Sequence, residues 1–295
     1  MRQKGRTAFV VAFLAPAVAL YAGFVVWPLI QAVYLSLFQW RGVSAKKTFK
    51  GVENYSALWS DDVFWKALKN NLWLLVICGI VLISLSVAIA HAMQSKGRIS
   101  KAIRSIVLFP QVISLVVVAI LWMFLLNPEF GLINGTLRSV GLGAIAKPWL
   151  GQSPTALPAV GVAFLWYAVG FYIMLFSAGL KGIPDEIKEA AELDGSEGWH
   201  RFWRVTWPML WSIKRVAVTY VVIMVMNIFA LVFLMTQGGP DRGTEVMLTY
   251  LYEQAFKNNK FGYAAALAVA NLVVAMVLSL GVMAYFRKDP QERRA

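Results

Sequence analysis

Six apolar segments dominate this sequence, and each is long enough to cross a lipid bilayer as a helix. A helix needs about 20 apolar residues to span a hydrocarbon core of roughly 30 Å. None of the six contains Asp, Glu, Lys or Arg, and a charge at the bilayer centre costs at least about 2.5 kcal/mol. The segments are 8–38, 70–93, 105–126, 157–180, 216–235 and 263–286. The pattern predicts an all-α integral membrane protein with six transmembrane helices.

The composition agrees with this class. The chain has 295 residues, of which 59% are hydrophobic and only 15% are charged, against about 25% charged residues in soluble domains. The N-terminus resembles a signal peptide, with Arg2, Lys4 and Arg6 before an apolar stretch. That stretch continues through YAGFVVWPLI, which is too long for a signal peptide, so we expect a retained first helix.

The distribution of basic residues predicts the orientation. The N-terminal tail, the 94–104 loop, the 181–215 segment and the C-terminal tail together hold 17 of the 28 Lys and Arg residues. The positive-inside rule therefore places both termini in the cytoplasm. The net charge of +13 indicates contact with anionic membrane lipid and no nucleic-acid binding, because no soluble basic domain is present.

Catalytic motifs are missing from the sequence. Cys78 is the only cysteine, and His91 and His200 lack the spacing of joint metal ligands. The chain has neither a GxxxxGK[ST] phosphate-binding loop nor a GxSxG nucleophile motif. We therefore expect no catalytic residues, no metal site, no cofactor and no ATPase site in this chain.

One charged segment, residues 185–197, interrupts the apolar sequence and is called the acidic island below. Residues 185–197 hold six acids and one lysine, and Pro184 and Gly195 are residues typical of the first turn and the C-terminal cap of a helix. The spacing places Ile187, Ala190 and Ala191 on one helix face.

An acidic helix of this kind is repelled by anionic lipid, which favours a basic groove on another protein. The alternative interpretation is a solvated cytoplasmic loop. The basic residues that follow are expected to face the membrane. They are Arg201, Arg204, Lys214 and Arg215.

The island also carries a motif. The sequence resembles the binding-protein-dependent inner-membrane permeases of ABC importers, whose cytoplasmic loop reads EAA, three residues, G, nine residues, I, one residue, L-P. The residues that match are Glu189, Ala190, Ala191, Gly195 and Pro208, while Val205 and Trp207 replace Ile and Leu. The resemblance implies that the 184–208 loop couples the permease to an ATPase. Asp194 belongs to the same coupling set, and Glu189 is expected to pair with a basic residue of the ATPase.

Two further stretches are similar to the carbohydrate branch of that family, the maltose-type importers. They are FKGVENYSALWSDDVFWKALKNNL after the first apolar segment and TQGGPDRGTEVMLTYLYEQAF after the fifth. The second resembles the first of two paired sugar permeases. Gly238-Gly239-Pro240 is expected to form a sharp turn, and Thr244 to begin an external amphipathic helix.

The resemblance implies the type I permease fold of ABC importers, in a bacterial cytoplasmic (inner) membrane. Residues 1–69 would form the first helix and a periplasmic segment, and residues 70–288 the permease core. The implied partners are a second permease in a heterodimer, two ATPase subunits that bind ATP and Mg, and a periplasmic or extracellular solute-binding protein. A sugar or polyol is the implied solute. The alternatives are an amino-acid, phosphate or glycerol phosphate permease, a secondary transporter and an intramembrane enzyme.

Uncharged polar and aromatic residues inside apolar segments are candidates for solute contact, because sugars are held by amides, hydroxyls and aromatic faces. Asn227 is the first candidate, since it shares a helix face with Tyr220 by the spacing. The alternative role for each is packing between helices, or for the aromatic residues contact with lipid. The other candidates are Trp166, Phe171, Tyr172, Gln111, Ser114 and Asn271.

Overall fold

The computed structural model describes residues 2–43, 46–94 and 106–287, and these are mostly helical. The basic stretch 95–105 and the C-terminal residues 288–295, which carry part of the charge asymmetry, lie outside these ranges. The helices are α1 (Arg2–Tyr21), α2 (Trp27–Ser36), α3 (Glu53–Trp59), α4 (Asp62–Ala92), α5 (Ile106–Val112), α6 (Leu115–Leu125), α7 (Leu132–Ser139), α8 (Ser153–Lys181), α9 (Asp185–Leu193), α10 (Gly198–Arg201), α11 (Trp207–Met209), α12 (Trp211–Met226), α13 (Ala230–Met235), α14 (Met247–Tyr252) and α15 (Phe261–Tyr285).

Two wider π-helical turns occur immediately before Trp-Pro pairs. Ala22–Val26 precedes Trp27-Pro28, and Phe202–Thr206 precedes Trp207-Pro208. Proline has no N–H to donate, and its ring collides with the carbonyl four residues earlier in an α-helix. A π turn displaces that carbonyl, so the helix continues through the proline with a local change in winding.

Four helices are long and apolar enough to cross a membrane. They are Phe9–Ser36, Asp62–Ala92, Ser153–Lys181 and Phe261–Tyr285. Two bent pairs pass the same criteria together, α5 with α6 at 115° and Gly198–Met209 with α12 at 71°. The described residues therefore provide four candidate spans, or six if each bent pair is one span. The prediction of several helices that are long and apolar enough to span a membrane is confirmed, and the count of six stays a prediction.

The fifth apolar segment is not one helix, so the expectation of a continuous helix across 216–235 is wrong. Helix α12 ends at Met226, and α13 begins only at Ala230. The side chain of Asn227 donates to the Ile223 carbonyl at 2.8 Å, and the Asn227 backbone N–H donates to the same oxygen at 3.2 Å. An asparagine that binds a nearby backbone group in this way competes with helix continuation. The third apolar segment is also broken, between α5 and α6.

Residues 2–43, 46–61 and 251–272 form one compact unit. A two-stranded antiparallel ribbon pairs Phe38 with Phe49. The Asn54 side chain donates to the carbonyls of Ser36 (2.7 Å) and Phe38 (3.1 Å), which joins α3 to the end of α2. A Cβ added at Gly262 would lie 1.8 Å from the Phe38 carbonyl oxygen. Only glycine therefore permits this approach of α15 to the ribbon.

Residues 62–94, 106–250 and 273–287 form the second compact unit. Its core lies mainly between α4 and α8, with α6, α12 and α13 packed against them. Leu74, Leu82 and Val160 are fully buried there. The units divide the chain at other positions than the predicted 1–69 and 70–288, and that division stays a prediction.

Candidate functional site

Helix α9 carries the acidic island. It runs from Asp185 to Leu193, and Pro184 precedes it with ψ 142°, so the proline lies just before the first helical turn and not inside it. Asp185 accepts a hydrogen bond from Lys188 at 2.7 Å. Two acids in the first turn are favourable because the N-terminus of a helix carries partial positive charge.

The C-terminal end of α9 is closed by a Schellman motif. Gly195 has φ +72°, the left-handed conformation of a C-terminal cap glycine, as its expected role as the cap requires. The Ser196 N–H donates to the Ala191 carbonyl at 2.8 Å, and the Gly195 N–H donates to the Glu192 carbonyl at 3.0 Å. Asp194 is the capping residue between helix and glycine. Both ends of α9 are therefore defined by local geometry.

Most of the α9 surface is exposed. Glu189 and Ala190 are exposed, while Ala191 is buried. Ile187 is 37% exposed and Leu193 is 90% exposed. The expected apolar face of Ile187, Ala190 and Ala191 is thus only partly covered by this chain. Helix α9 therefore exposes acidic side chains together with two separate apolar side chains, Ile187 and Leu193.

The segment after α9 is rich in aromatic rings. Trp199 stacks on Phe202 with ring centroids 5.4 Å apart. The ring centroid of His91, in α4, lies 5.2 Å from that of Phe202. Phe202 is buried. Pro208 occupies the second position of α11.

The basic residues of this segment differ in their surroundings. Arg201 pairs with Glu192. Lys214 is buried, and its Nζ lies 4.3 Å from the ring centre of Trp207 and 4.9 Å from that of Trp211. The expectation that Lys214 faces the membrane surface is therefore wrong, because two indole rings enclose its ammonium group. Arg204 and Arg215 are exposed.

The Gly-Gly-Pro stretch forms the expected sharp turn. Gly238 has φ +86°, and the Gly239 N–H donates to the Thr236 carbonyl at 2.9 Å. Thr244 does not begin a helix, contrary to the sequence expectation, because α14 begins at Met247. The Thr244 side chain is fully buried, and its hydroxyl donates to the Gly239 carbonyl at 2.7 Å. Thr244 therefore closes the turn.

Two adjacent asparagines of α4 form hydrogen bonds to the backbone of this turn region, and the sequence analysis did not predict these bonds. The Asn70 side chain donates to the Glu245 carbonyl at 2.8 Å and to the Gly243 carbonyl at 3.2 Å. The fully buried Asn71 donates to the Val225 carbonyl at 2.8 Å and accepts from the Met247 N–H at 2.9 Å. The available signal was the Asn-Asn pair at the start of the second apolar segment.

Glu245 is a buried carboxylate that the sequence analysis also missed. It is 3% exposed, and Arg242 approaches it at 3.1 Å. The Thr249 hydroxyl donates to it at 2.6 Å. Because a buried charge must be paired and hydrogen-bonded, these contacts explain why an acid can lie inside this region.

Part of the predicted solute-contact set comes together between α8 and α12. The ring centroid of Phe171 lies 4.7 Å from that of Tyr220 and 5.3 Å from that of Tyr172. The Gln111 side chain donates to the Tyr167 carbonyl of α8 at 3.3 Å. Trp166 instead packs against Trp122 of α6 with centroids 6.1 Å apart.

The remaining candidates lie elsewhere. Asn227 is exposed at the end of α12, so the expectation of a buried amide within a helix is wrong. Ser114 is exposed at the break before α6. Asn271 is buried and belongs to the other compact unit. Within residues 2–43, 46–94 and 106–287, no group of three His, Cys, Asp or Glu residues could hold a metal ion.

Known proteins are similar to this chain over most of its length. Residues 80–289 match the family described as "Binding-protein-dependent transport system inner membrane component". The chain is 36% identical over 282 residues to the probable ABC transporter permease protein YurN of Bacillus subtilis (strain 168), covering 95% of this chain and 96% of that protein. It is 34% identical over 285 residues to the diacetylchitobiose uptake system permease protein NgcF of Streptomyces coelicolor (strain ATCC BAA-471 / A3(2) / M145), covering 93% and 81%.

A solved structure has the same architecture. One chain in the crystal structure of a bacterial ABC transporter involved in the import of the acidic polysaccharide alginate superposes with a TM-score of 0.84. The alignment covers 97% of both chains at 24% sequence identity. A likeness at this identity shows the fold alone.

Proposed function

Since the chain belongs to the family of binding-protein-dependent transport system inner membrane components, we propose that it is a permease subunit of an ABC importer for a sugar or related polyol. The observation that carries the proposal is the family match over residues 80–289. The 34% identity to a diacetylchitobiose permease across 93% of the chain favours a carbohydrate solute. An amino-acid or glycerol phosphate solute is the competing assignment.

The proposed complex contains a second permease, two ATPase subunits that bind ATP and Mg, and an external solute-binding protein. The exposed acidic surface of α9 suits a basic groove of the ATPase. Closure of the ATPase dimer would move α9, and the capped helix would transmit that movement to α8 and α12, the long helices on either side of it in the chain. A rigid element between two states is what such coupling requires.

Uptake measurements test this function. The solute-binding protein of the same transporter is purified, its bound ligand is identified by mass spectrometry, and cells are assayed for uptake of the labelled ligand. We expect a sugar or polyol whose uptake disappears when the partner ATPase is inactivated. Uptake that persists and follows an ion gradient would identify a secondary transporter, and an amino-acid ligand would overturn the solute class.

Orientation is the second part of the proposal, with both termini and α9 in the cytoplasm of a multi-pass inner-membrane protein. We expect a cysteine at Leu193 to resist impermeant thiol reagents in intact cells and one at Asn258 to react. Both positions are exposed in the structure, and Cys78 is first replaced by alanine. Reaction of the Leu193 cysteine after cell lysis is the control. Labelling at Leu193 from outside contradicts the orientation.

The solute pathway is proposed to include the Phe171, Tyr172 and Tyr220 rings, because aromatic faces stack on the apolar faces of sugars. Replacing the half-exposed Tyr220 by alanine is expected to raise the KM for uptake about fivefold or more, as a lost aromatic contact of roughly 1 kcal/mol implies. Basal ATPase activity of the complex should be retained. The control is Tyr21→Ala, at an exposed tyrosine of α1 outside the candidate set. An unchanged KM for Tyr220→Ala would assign the rings to packing.

A further inference from the structure

The first turn of α12 packs tightly against the end of α8. A Cβ added at Gly179 of α8 would lie 2.6 Å from the Ile213 side chain and 3.0 Å from the Leu210 side chain. Leu210, which directly precedes α12, is fully buried. Glycine at position 179 therefore permits this close approach of the two helices. Residues 210–214 lie just after the 184–208 loop, and we call them the α12 junction.

The end of α15 packs on the same turn. The Trp211 ring centroid lies 4.6 Å from that of Phe286 and 5.9 Å from that of Tyr285. The Trp211 indole N–H donates to the Phe286 carbonyl at 3.1 Å. The last carbonyls of a helix have no partner inside that helix, so this hydrogen bond satisfies a carbonyl at the end of α15. Residues 273–287 and the α12 junction belong to the same compact unit.

Lys214 joins the α12 junction to the 184–208 loop. Its side chain is buried, and its Nζ lies 4.3 Å from the ring centre of Trp207 and 4.9 Å from that of Trp211. The attraction between an ammonium group and an indole ring is strongest where water is excluded. Trp207 belongs to the loop and Trp211 to α12. The three side chains therefore form a continuous contact from the loop to the end of α15.

This contact reaches a helix that the covalent chain does not join to the loop. Helices α8 and α12 flank the loop directly in the sequence, whereas Phe286 lies 75 positions after Trp211. Any movement of the loop that reaches the end of α15 must therefore pass through packed side chains and hydrogen bonds, which are the physical carriers of coupling between distant elements. Trp211 supplies both kinds of contact to Phe286.

We propose that Trp211 is a positioning residue that makes the end of α15 move together with the α12 junction when the coupling loop moves. The inference rests on the proposed function as an ABC importer permease, and it adds α15 to the helices that follow α9. An indole suits this role because its ring and its N–H hold the same residue by two different interactions.

Spin labels test whether the two elements move together. Arg215→Cys on α12 and Arg287→Cys after α15, both at exposed positions, carry the labels in the complete complex with Cys78→Ala and cysteine-free partner subunits. Double electron–electron resonance measures the distance between them without nucleotide and with ATP trapped by vanadate. We expect the same distance in both states, and a shift between the states once Trp211→Leu is added. A shift with Trp211 in place, or none in Trp211→Leu, would overturn the proposal.

The amount of solute taken up per ATP hydrolysed separates a positioning role from a purely structural one. It is measured in proteoliposomes with the labelled ligand that mass spectrometry identifies in the binding protein. Trp211→Phe keeps an aromatic ring but lacks the N–H, so the ratio should fall about fivefold, the factor that one hydrogen bond contributes. Trp211→Leu removes both interactions and should lower it at least tenfold, by roughly one such factor for each. Basal ATPase activity should be retained.

A matched control and the assembly of the complex complete the test. Trp59→Leu removes an indole of α3 that is 72% exposed and should leave the ratio unchanged. ATP-dependent uptake with a normal ratio in both Trp211 variants would contradict this inference alone, whereas ATP-independent uptake by the unmodified complex would contradict the proposed function as well. If Trp211→Leu fails to assemble and Trp211→Phe keeps the normal ratio, Trp211 only stabilises the fold, and the proposal is wrong.

Discussion

Gly195→Pro is expected to abolish solute uptake while the protein still inserts into the membrane. Gly195 has φ +72°, whereas proline is confined to φ near −65°. Proline also lacks the N–H that binds the Glu192 carbonyl at 3.0 Å. Loss of the two motif hydrogen bonds, each worth roughly 1 kcal/mol, predicts at least a tenfold loss of coupling. Uptake of the labelled solute and the amount of chain in washed membranes are measured together.

Two further variants test whether α9 is the coupling element. Gly195→Asn should keep most of the uptake, because asparagine tolerates the left-handed conformation better than other residues with a side chain. Glu189→Lys reverses an exposed charge at the proposed ATPase contact and should also abolish uptake without loss of insertion. If Gly195→Pro and Glu189→Lys both transport normally, α9 is not the coupling element.

Asn71→Ala is expected to destabilise the protein by about 2–5 kcal/mol, since each buried group left without a hydrogen bond costs roughly 1–3 kcal/mol. The side chain bridges the Val225 carbonyl and the Met247 N–H, at 2.8 Å and 2.9 Å. Because Asn71 is fully buried, water cannot replace either bond. The measurement is the thermal unfolding midpoint of the purified chain in detergent.

Asn70→Ala is the matched control for that experiment. Asn70 also makes two bonds, to the Gly243 and Glu245 carbonyls, but it is half-buried. Water can reach these carbonyls after truncation, so the shift in the midpoint should be clearly smaller. Equal shifts for the two variants would show that burial of Asn71 does not determine the effect.

Local features of the fold were predictable from the sequence. Hydropathy identified the apolar helices, because insertion in a bilayer depends on the apolar content of one continuous segment. The Gly195 cap and the Gly-Gly-Pro turn were also predictable. Glycine widens and proline narrows the range of backbone angles at its own position. The coupling motif followed from a short spacing of residues that resembles a known family.

Features that depend on which groups surround a polar side chain, whether near or far in the sequence, were decided by the tertiary structure. Lys214 was expected at the membrane surface, and two indole rings enclose it. Thr244 was expected to begin a helix, and it closes a turn against the Gly239 carbonyl. Asn71 lies 154 and 176 positions from its two partners. Sequence periodicity describes which residues share a helix face, but a buried polar group takes its position from whichever chain segment can complete its hydrogen bonds.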